Sequence, residues 1–284
     1  MKDLSELKKN AYIRNFIEEN HLQDAFLDEH YSFIKRAADS HLLCVGCEGL
    51  QNCRQLSPGE RLCLSYDGVL IEEIELCPYC LKKKQKDNLL SRYVYCDIAK
   101  NLADIDLNNI DYTQNQKQLY LLLSAIYLEK RDRGLYISGD LGTGKTYLSV
   151  ALANSLVKNN KKVAFVKVSD FFNKMRNAIG TDNELIDKDI NILKKADYVF
   201  FDDIGSESVS EFIRDDILFR ILDYRMDNRL MTIFTSNLNK EDLLKHYQYD
   251  RKEKSNLMNA TRLMERIDIL SEDYVLTGEN LRRK

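Results

Sequence analysis

Proline is scarce, with two in 284 residues, and glycine stands at eleven, which excludes collagen-like repeats and proline- or glycine-rich disorder. No stretch approaches the ~20 consecutive apolar residues of a membrane span. The opening MKDLSELKKNAYIRNF carries charges where a signal peptide needs its apolar segment. The expectation is a cytoplasmic protein without a membrane partner. Charge of one sign is lacking too: 42 Lys and Arg against 45 Asp and Glu leave a net charge of −3. That excludes a chain that coats nucleic acid through overall charge and confines any DNA contact to a local site. What is present, 44% apolar residues in one large or two smaller domains' length of chain, suffices for a substantial core.

Cysteine is absent after Cys96. All seven, at 44, 47, 53, 63, 77, 80 and 96, lie in the first third, so the two parts differ in chemistry. In a reducing compartment closely spaced cysteines point to metal before disulfides. Cys44-Val45-Gly46-Cys47 and Cys77-Pro78-Tyr79-Cys80 are C-x-x-C pairs, and four thiolates close a tetrahedral structural Zn²⁺ site. RLCLSY and GVLIEEIEL read as strands joined by an Asp67-Gly68 turn, a hairpin that returns the second pair to the first. Buried free thiols and a redox C-x-x-C are the rival readings. A redox pair belongs at a helix N-terminus in a thioredoxin-like βαβ unit, which the pattern lacks. Cys53 and Cys63 are substitutes for a member of the second pair, His41 is a minor candidate, and Cys96 reads as a plain thiol.

Residues 4–38 show helical spacing, with Ile13, Phe16 and Ile17, then Phe26, Leu27, Tyr31 and Ile34 between charged residues. Two or three short amphipathic helices fit this pattern. With no evident catalytic residue, such a unit serves as a docking surface. Lys82, Lys83, Lys84 and Lys86 begin a further helix, and polar NLADIDLNNIDYTQNQ follows as a linker. The division expected is 1–97 for the helical, metal-binding domain, 98–118 for the linker and 119–284 for the second domain.

Residues 134–146 run from an apolar strand into Gly139-Asp140-Leu141-Gly142-Thr143-Gly144-Lys145-Thr146, a complete G-x-x-x-x-G-K-T loop, and YLSVALANSLVK follows as a helix. That is the context a phosphate-binding loop requires. Gly139, Gly142 and Gly144 turn the backbone so that its amides, including that of Thr143, face phosphate oxygens. Lys145 reaches the β and γ phosphates of ATP, and Thr146 places its hydroxyl on Mg²⁺. Asp197-Tyr198-Val199-Phe200-Phe201-Asp202-Asp203 supplies the strand ending in acid: Asp202 for the Mg²⁺ shell and Asp203 to orient the attacking water. Val163 to Val168, Met231 to Thr235 and Tyr274 to Thr277 add apolar strands separated by helical stretches. The fold expected is an α/β three-layer sandwich on a parallel sheet. Asn237 ends the Met231 run, on a strand expected beside the P-loop strand, within reach of the γ-phosphate or the water.

Taken in order, GDLGTGKT, FFDDIGSE, FTSNL, ATRLMERI and the terminal GENLRR resemble the AAA+ ATPases of the bacterial helicase-loader family. The resemblance covers nearly the whole chain and is strongest over 134–283. It implies an ATPase that places the replicative hexameric DNA helicase on single-stranded DNA, alongside other primosome proteins, with self-association around nucleotide or helicase. It makes Asn237 the sensor 1 residue, Arg266 an arginine finger acting on a neighbour's ATP, and Arg282 the sensor 2 contact. Arg262 and Arg283 are the rivals of the two arginines. The family's zinc pattern has a CxxC, a further Cys, a His and a Cys-Pro. Arg61 stands nearest the His position, so the metal set becomes Cys44, Cys47, Cys77 and Cys80, with Cys63 the alternative to Cys80. DNA contacts are expected from Ser206 to Phe212, Ser210 and Phe212 above all, together with the helix holding Phe171, Phe172 and Lys174; a place in the core is the rival reading of the two phenylalanines and the better one for at least one of them. A transposition-helper ATPase and a nucleotide-gated switch with negligible turnover are the other functions considered.

Overall fold

A computed structural model describes residues 4–249 and 255–281. The chain divides into two compact units, Met1–Gln85 and Lys86–Lys284.

The first unit opens with α1 (Leu4–Lys9), α2 (Ala11–Glu19), α3 (Asp24–Glu29) and α4 (Tyr31–Leu43). Asparagines that bond the backbone locally stand at the first two of the three breaks in this helical stretch, and His30 stands at the third. Asn10 caps α2 by accepting from Tyr12 N and Ile13 N, and Asn20 Nδ2 closes it on Phe16 O. Leu7, Ile13, Phe16, Leu27, Ile34, Ala37 and Ala38 form the small core with Leu64. Leu64 lies on β1 (Glu60–Tyr66), which pairs antiparallel with β2 (Leu70–Leu76) around Gly68 at φ 77°. The expected hairpin is thus present. The boundary between the units falls within α5 (Pro78–Ser91).

The second unit is a six-stranded, all-parallel sheet. Its strands are β3 (Tyr95–Cys96), β4 (Gly134–Ser138), β5 (Val163–Lys167), β6 (Tyr198–Asp202), β7 (Met231–Ser236) and β8 (Ser271–Val275), in the order β3-β5-β6-β7-β4-β8. Strand alternation divides the core in two. Leu135, Ile137, Phe165, Phe200 and Ile233 face α6 (Lys117–Tyr127) and α7 (Lys145–Lys158). Tyr136, Val166, Val199, Phe201 and Phe234 face the opposite layer. That layer comprises α8 (Val168–Ala178), α9 (Asn183–Lys195), a π-helix (Phe212–Phe219), α10 (Arg220–Asp227), α11 (Lys240–Gln248) and α12 (Leu257–Leu270). The three-layer sandwich on a parallel sheet is therefore observed.

Two details differ from the sequence reading. The last strand begins at Ser271 rather than Tyr274, because α12 runs directly into it and its polar residues still pair with β4. The stretch read as a linker, 98–118, is packed into the second unit, with Ala103, Asp106, Leu107 and Ile110 buried. Buried polar groups on α7 hold it there. Asn154 accepts from Tyr93 OH at 2.7 Å and donates to Leu102 O and Ile105 O, and Ser155 Oγ accepts from Leu107 N at 2.9 Å.

Candidate functional site

At the carboxyl end of β4 the chain turns through Gly139 at φ 147° and Gly142 at φ 81°. A Cβ on Gly139 would lie 2.1 Å from Leu276 O, so backbone packing as well as φ demands glycine there. The loop then enters α7, whose first turn presents its amides and a positive dipole end to the cleft. Lys145 is buried and donates to Gly139 O at 2.6 Å, Asp140 O at 2.8 Å and Asn237 Oδ1 at 2.9 Å. Thr143 is buried. Its hydroxyl donates to Asp140 O, and its carbonyl accepts from buried Gln116 Nε2.

β6 and β7 deliver the acids. Asp202 Oδ1 accepts from Thr146 Oγ1 at 2.8 Å and Thr235 Oγ1 at 2.7 Å. Burial raises its pKa above the ordinary carboxylate value, against the lowering by the two hydroxyls. Asp203 sits at φ 58°, a left-handed conformation held by its N–H donating to Thr235 Oγ1. Its Oδ1 accepts from Asn237 Nδ2 at 2.8 Å. The Asn237 amide therefore joins the P-loop lysine to the second acid, and that network fixes which way the amide points.

These groups line one cleft of about 860 Å³, a volume suited to a nucleotide. Sequence reasoning missed part of its wall: Ile98, Asn101, Leu102 and Asp111 from the supposed linker, and Lys167 at the end of β5, paired with Asp170 at 2.8 Å. The two-residue strand β3 that starts this wall is too short to carry a periodic signal. Leu281 N donates to Gly142 O, which brings Leu281 to the P-loop and into the wall of the cleft. Arg282, the expected sensor 2 residue, lies outside the described residues, as does Arg283.

Arg266 does not line the cleft. Its Nε donates to Asp223 at 3.1 Å, its Nη1 to Glu265 at 2.8 Å, and its guanidinium lies over the Phe219 ring, as does that of Arg262. A stacking platform on α8 is not formed, and the rival core reading holds for both phenylalanines. Phe171 and Phe172 are fully buried in the core, as the apolar face of amphipathic α8, and offer no ring to a base. Lys174 bonds Asp189 at 2.6 Å. Ser210 accepts from Ile213 N, and Phe212 is half-buried against the core.

In the first unit Cys44, Cys47, Cys53 and Cys77 line one pocket, with Arg61 at its wall. Amide N–H groups donate toward two of these sulfurs, Gly59 N to Cys53 and Cys80 N to Cys77, both at 3.4 Å. Cys80 does not line the pocket; its sulfur lies against Gly59, where an added Cβ would come within 3.0 Å. Cys63 is turned elsewhere, donating to Glu75 at 3.0 Å beside His41. Burial, followed by the bond to Glu75, pushes its thiol up to about 11. Among the described residues no three His, Cys, Asp or Glu side chains are gathered as a metal site. Four soft sulfurs, those of Cys44, Cys47, Cys53 and Cys77, surround that pocket, the ligand type that suits zinc, and two of them face amide donors.

No helix among the described residues is long and apolar enough to cross a membrane. The family described as IstB-like ATP binding protein matches residues 80–284. The chain is 27% identical to the replicative helicase loader DnaI of Bacillus subtilis over 286 residues, covering 96% of this chain and 90% of that protein. It is 28% identical to the replicative helicase loader DnaC of Escherichia coli K12, over 42% of this chain and about half of that one (49%). A crystal structure of DnaI superposes with a TM-score of 0.56 at 29% identity, covering 64% of this chain and 96% of that one.

Proposed function

The chain belongs to the family of IstB-like ATP binding proteins, and from that footing we propose that it is an ATP-dependent loader of the replicative DNA helicase. The observation that carries this reading is the near-complete alignment with the DnaI loader, which extends through the cysteine-bearing first unit. A transposition helper would account for the P-loop unit, but the family match begins only at residue 80, within α5.

The chemistry proposed for the second unit is ATP hydrolysis. Lys145 and the amides of Gly142, Gly144 and Thr146 would hold the β and γ phosphates, while Thr146 and Asp202 would hold Mg²⁺, whose charge offsets that of the phosphates. Asp203 would orient the attacking water, with Asn237 fixing the direction of its carboxylate through the 2.8 Å bond. Arg266 would act on the nucleotide of a neighbouring copy. This is supported by its place on α12 outside the cleft, and it implies self-association around nucleotide or helicase.

The first unit is proposed to hold the hexameric helicase and to be stiffened by Zn²⁺ on Cys44, Cys47 and Cys77, with Cys80 as the fourth ligand. Cys53 is favoured over Cys63 as the substitute, because Cys53 lines the shared pocket. Single-stranded DNA would meet the second unit at the Ser206–Phe212 stretch, and other primosome proteins complete the partners. One experiment tests the whole reading: ATP hydrolysis measured alone, with single-stranded DNA, and with a helicase hexamer. Stimulation by the hexamer and loading of it onto DNA are expected. Indifference to both would leave a nucleotide switch of another kind.

A further inference from the structure

Glu207 is a buried carboxylate. It follows Asp203 by four residues, its side chain is wholly shielded from solvent, and among the described residues no lysine or arginine pairs with it. The nearest candidate, His246 Nε2, stands 3.9 Å away and is itself buried without a hydrogen bond. An ionised carboxylate in such a place is costly unless it is well bonded. Its bonds are specific: Oε2 accepts from Gly205 N at 2.8 Å, and Oε1 accepts from the hydroxyl of fully buried Tyr247.

Those two bonds join the turn that carries Asp203 to the last turn of α11. Tyr247 also accepts from Arg214 Nη1 through its carbonyl at 3.1 Å, so one residue anchors both the turn and the π-helix after it. The turn needs an anchor. Asp203 is in the left-handed region, which disfavours any residue with a Cβ and persists only where surroundings enforce it. Gly205 is left-handed as well, at φ 92°, and a Cβ there would lie 2.9 Å from Leu238. On the β7 side, Ser236 Oγ donates to Ile204 O at 2.6 Å and Thr235 O accepts from Ile204 N at 2.9 Å. On the far side, Glu207 is the closing bond.

We infer that Glu207 is a positioning residue for hydrolysis: bonded to Tyr247, it holds the Asp203 turn so that the Asp203 carboxylate keeps its place against Asn237. Glu207 lines no part of the cleft. Its loss therefore acts on turnover and spares nucleotide affinity.

The inference rests on Asp203 orienting the water, so Asp203→Asn is measured beside Glu207→Ala, Glu207→Gln and Tyr247→Phe in the full chain. The readouts are steady-state hydrolysis, affinity for a non-hydrolysable ATP analogue and the melting midpoint. Glu207→Ala should lower kcat about tenfold or more with analogue affinity within about twofold of wild type. Glu207→Gln should restore most of kcat, since its Oε1 accepts from Gly205 N and its Nε2 donates to the Tyr247 hydroxyl, which also accepts. Should Glu207→Ala fail to fold, Tyr247→Phe decides, and a kcat-selective loss there is expected. A Glu207→Gln variant as slow as Glu207→Ala overturns positioning in favour of a need for the charge itself. If Asp203→Asn abolishes hydrolysis while Glu207→Ala and Tyr247→Phe turn over like wild type, Glu207 has no such role. Undiminished hydrolysis in Asp203→Asn overturns the reading of Asp203, and this inference with it.

Discussion

Asn237 Oδ1 lies 2.9 Å from Lys145 Nζ, while Nδ2 of the same amide lies 2.8 Å from Asp203. The two ends of one side chain thus serve opposite charges, and only an amide has a donor and an acceptor so placed.

Lys145→Ala should abolish binding of an ATP analogue in isothermal titration, since it removes the ammonium that converges with the P-loop amides. Asn237→Ala should bind the analogue and hydrolyse ATP about 10- to 100-fold more slowly, the scale of losing one positioned polar group at a reacting centre. Unchanged affinity in the lysine variant would sink the site assignment.

Asp202 is buried with an elevated pKa, and both hydroxyls that bond it converge on Oδ1. Asp202→Asn keeps an acceptor for both and removes the buried charge. The unfolding midpoint in magnesium-free buffer should rise by roughly 2–4 °C, the shift that about 1 kcal/mol gives in a domain of this size. The further rise that Mg-nucleotide gives the wild type should disappear.

Elemental analysis should find one zinc per chain. Chelation should melt the first unit, because a small unit with a modest core draws folding free energy from its metal. Serine at 44, 47 or 77 should release the ion. Comparison of Cys80→Ser with Cys53→Ser identifies the fourth ligand, and Cys63→Ser should retain zinc because that sulfur faces Glu75.

Arg266→Ala chains mixed with Lys145→Ala chains should recover part of the hydrolysis that each lacks, because a mixed interface joins one intact P-loop to one intact arginine. Absence of recovery at every ratio, with co-assembly confirmed by light scattering, would place Arg266 outside the reaction.

The P-loop and the Asp202 strand were legible because phosphate chemistry imposes a local pattern: glycines at fixed offsets, a lysine, and an apolar strand ending in acid. The hairpin was legible from Asp67-Gly68 for a similar reason. Other features depend on contacts distant in sequence. That Phe171 and Phe172 are both interior follows from two helices, α8 and α9, covering one sheet face, whereas spacing alone marks only an amphipathic helix. Glu207 ends the FFDDIGSE motif, but its bond is not legible there, since the hydroxyl it meets is forty residues downstream. The choice between Cys53 and Cys80 likewise depends on how the loop at Gly59 folds back, which spacing does not encode.

The bonds from α7 to the segment before it bear on how far the chain can be shortened. A fragment beginning at residue 119, the boundary the composition suggests, would remove every described partner of Asn154 and the Leu107 amide that Ser155 receives. Buried polar groups left unpaired cost about 1–3 kcal/mol each, and the excision would also strip Ile98, Leu102 and Asp111 from the nucleotide cleft. The minimal ATP-binding piece of this protein therefore begins ahead of Tyr93, and protease trimming that stops short of that residue is the cut it tolerates.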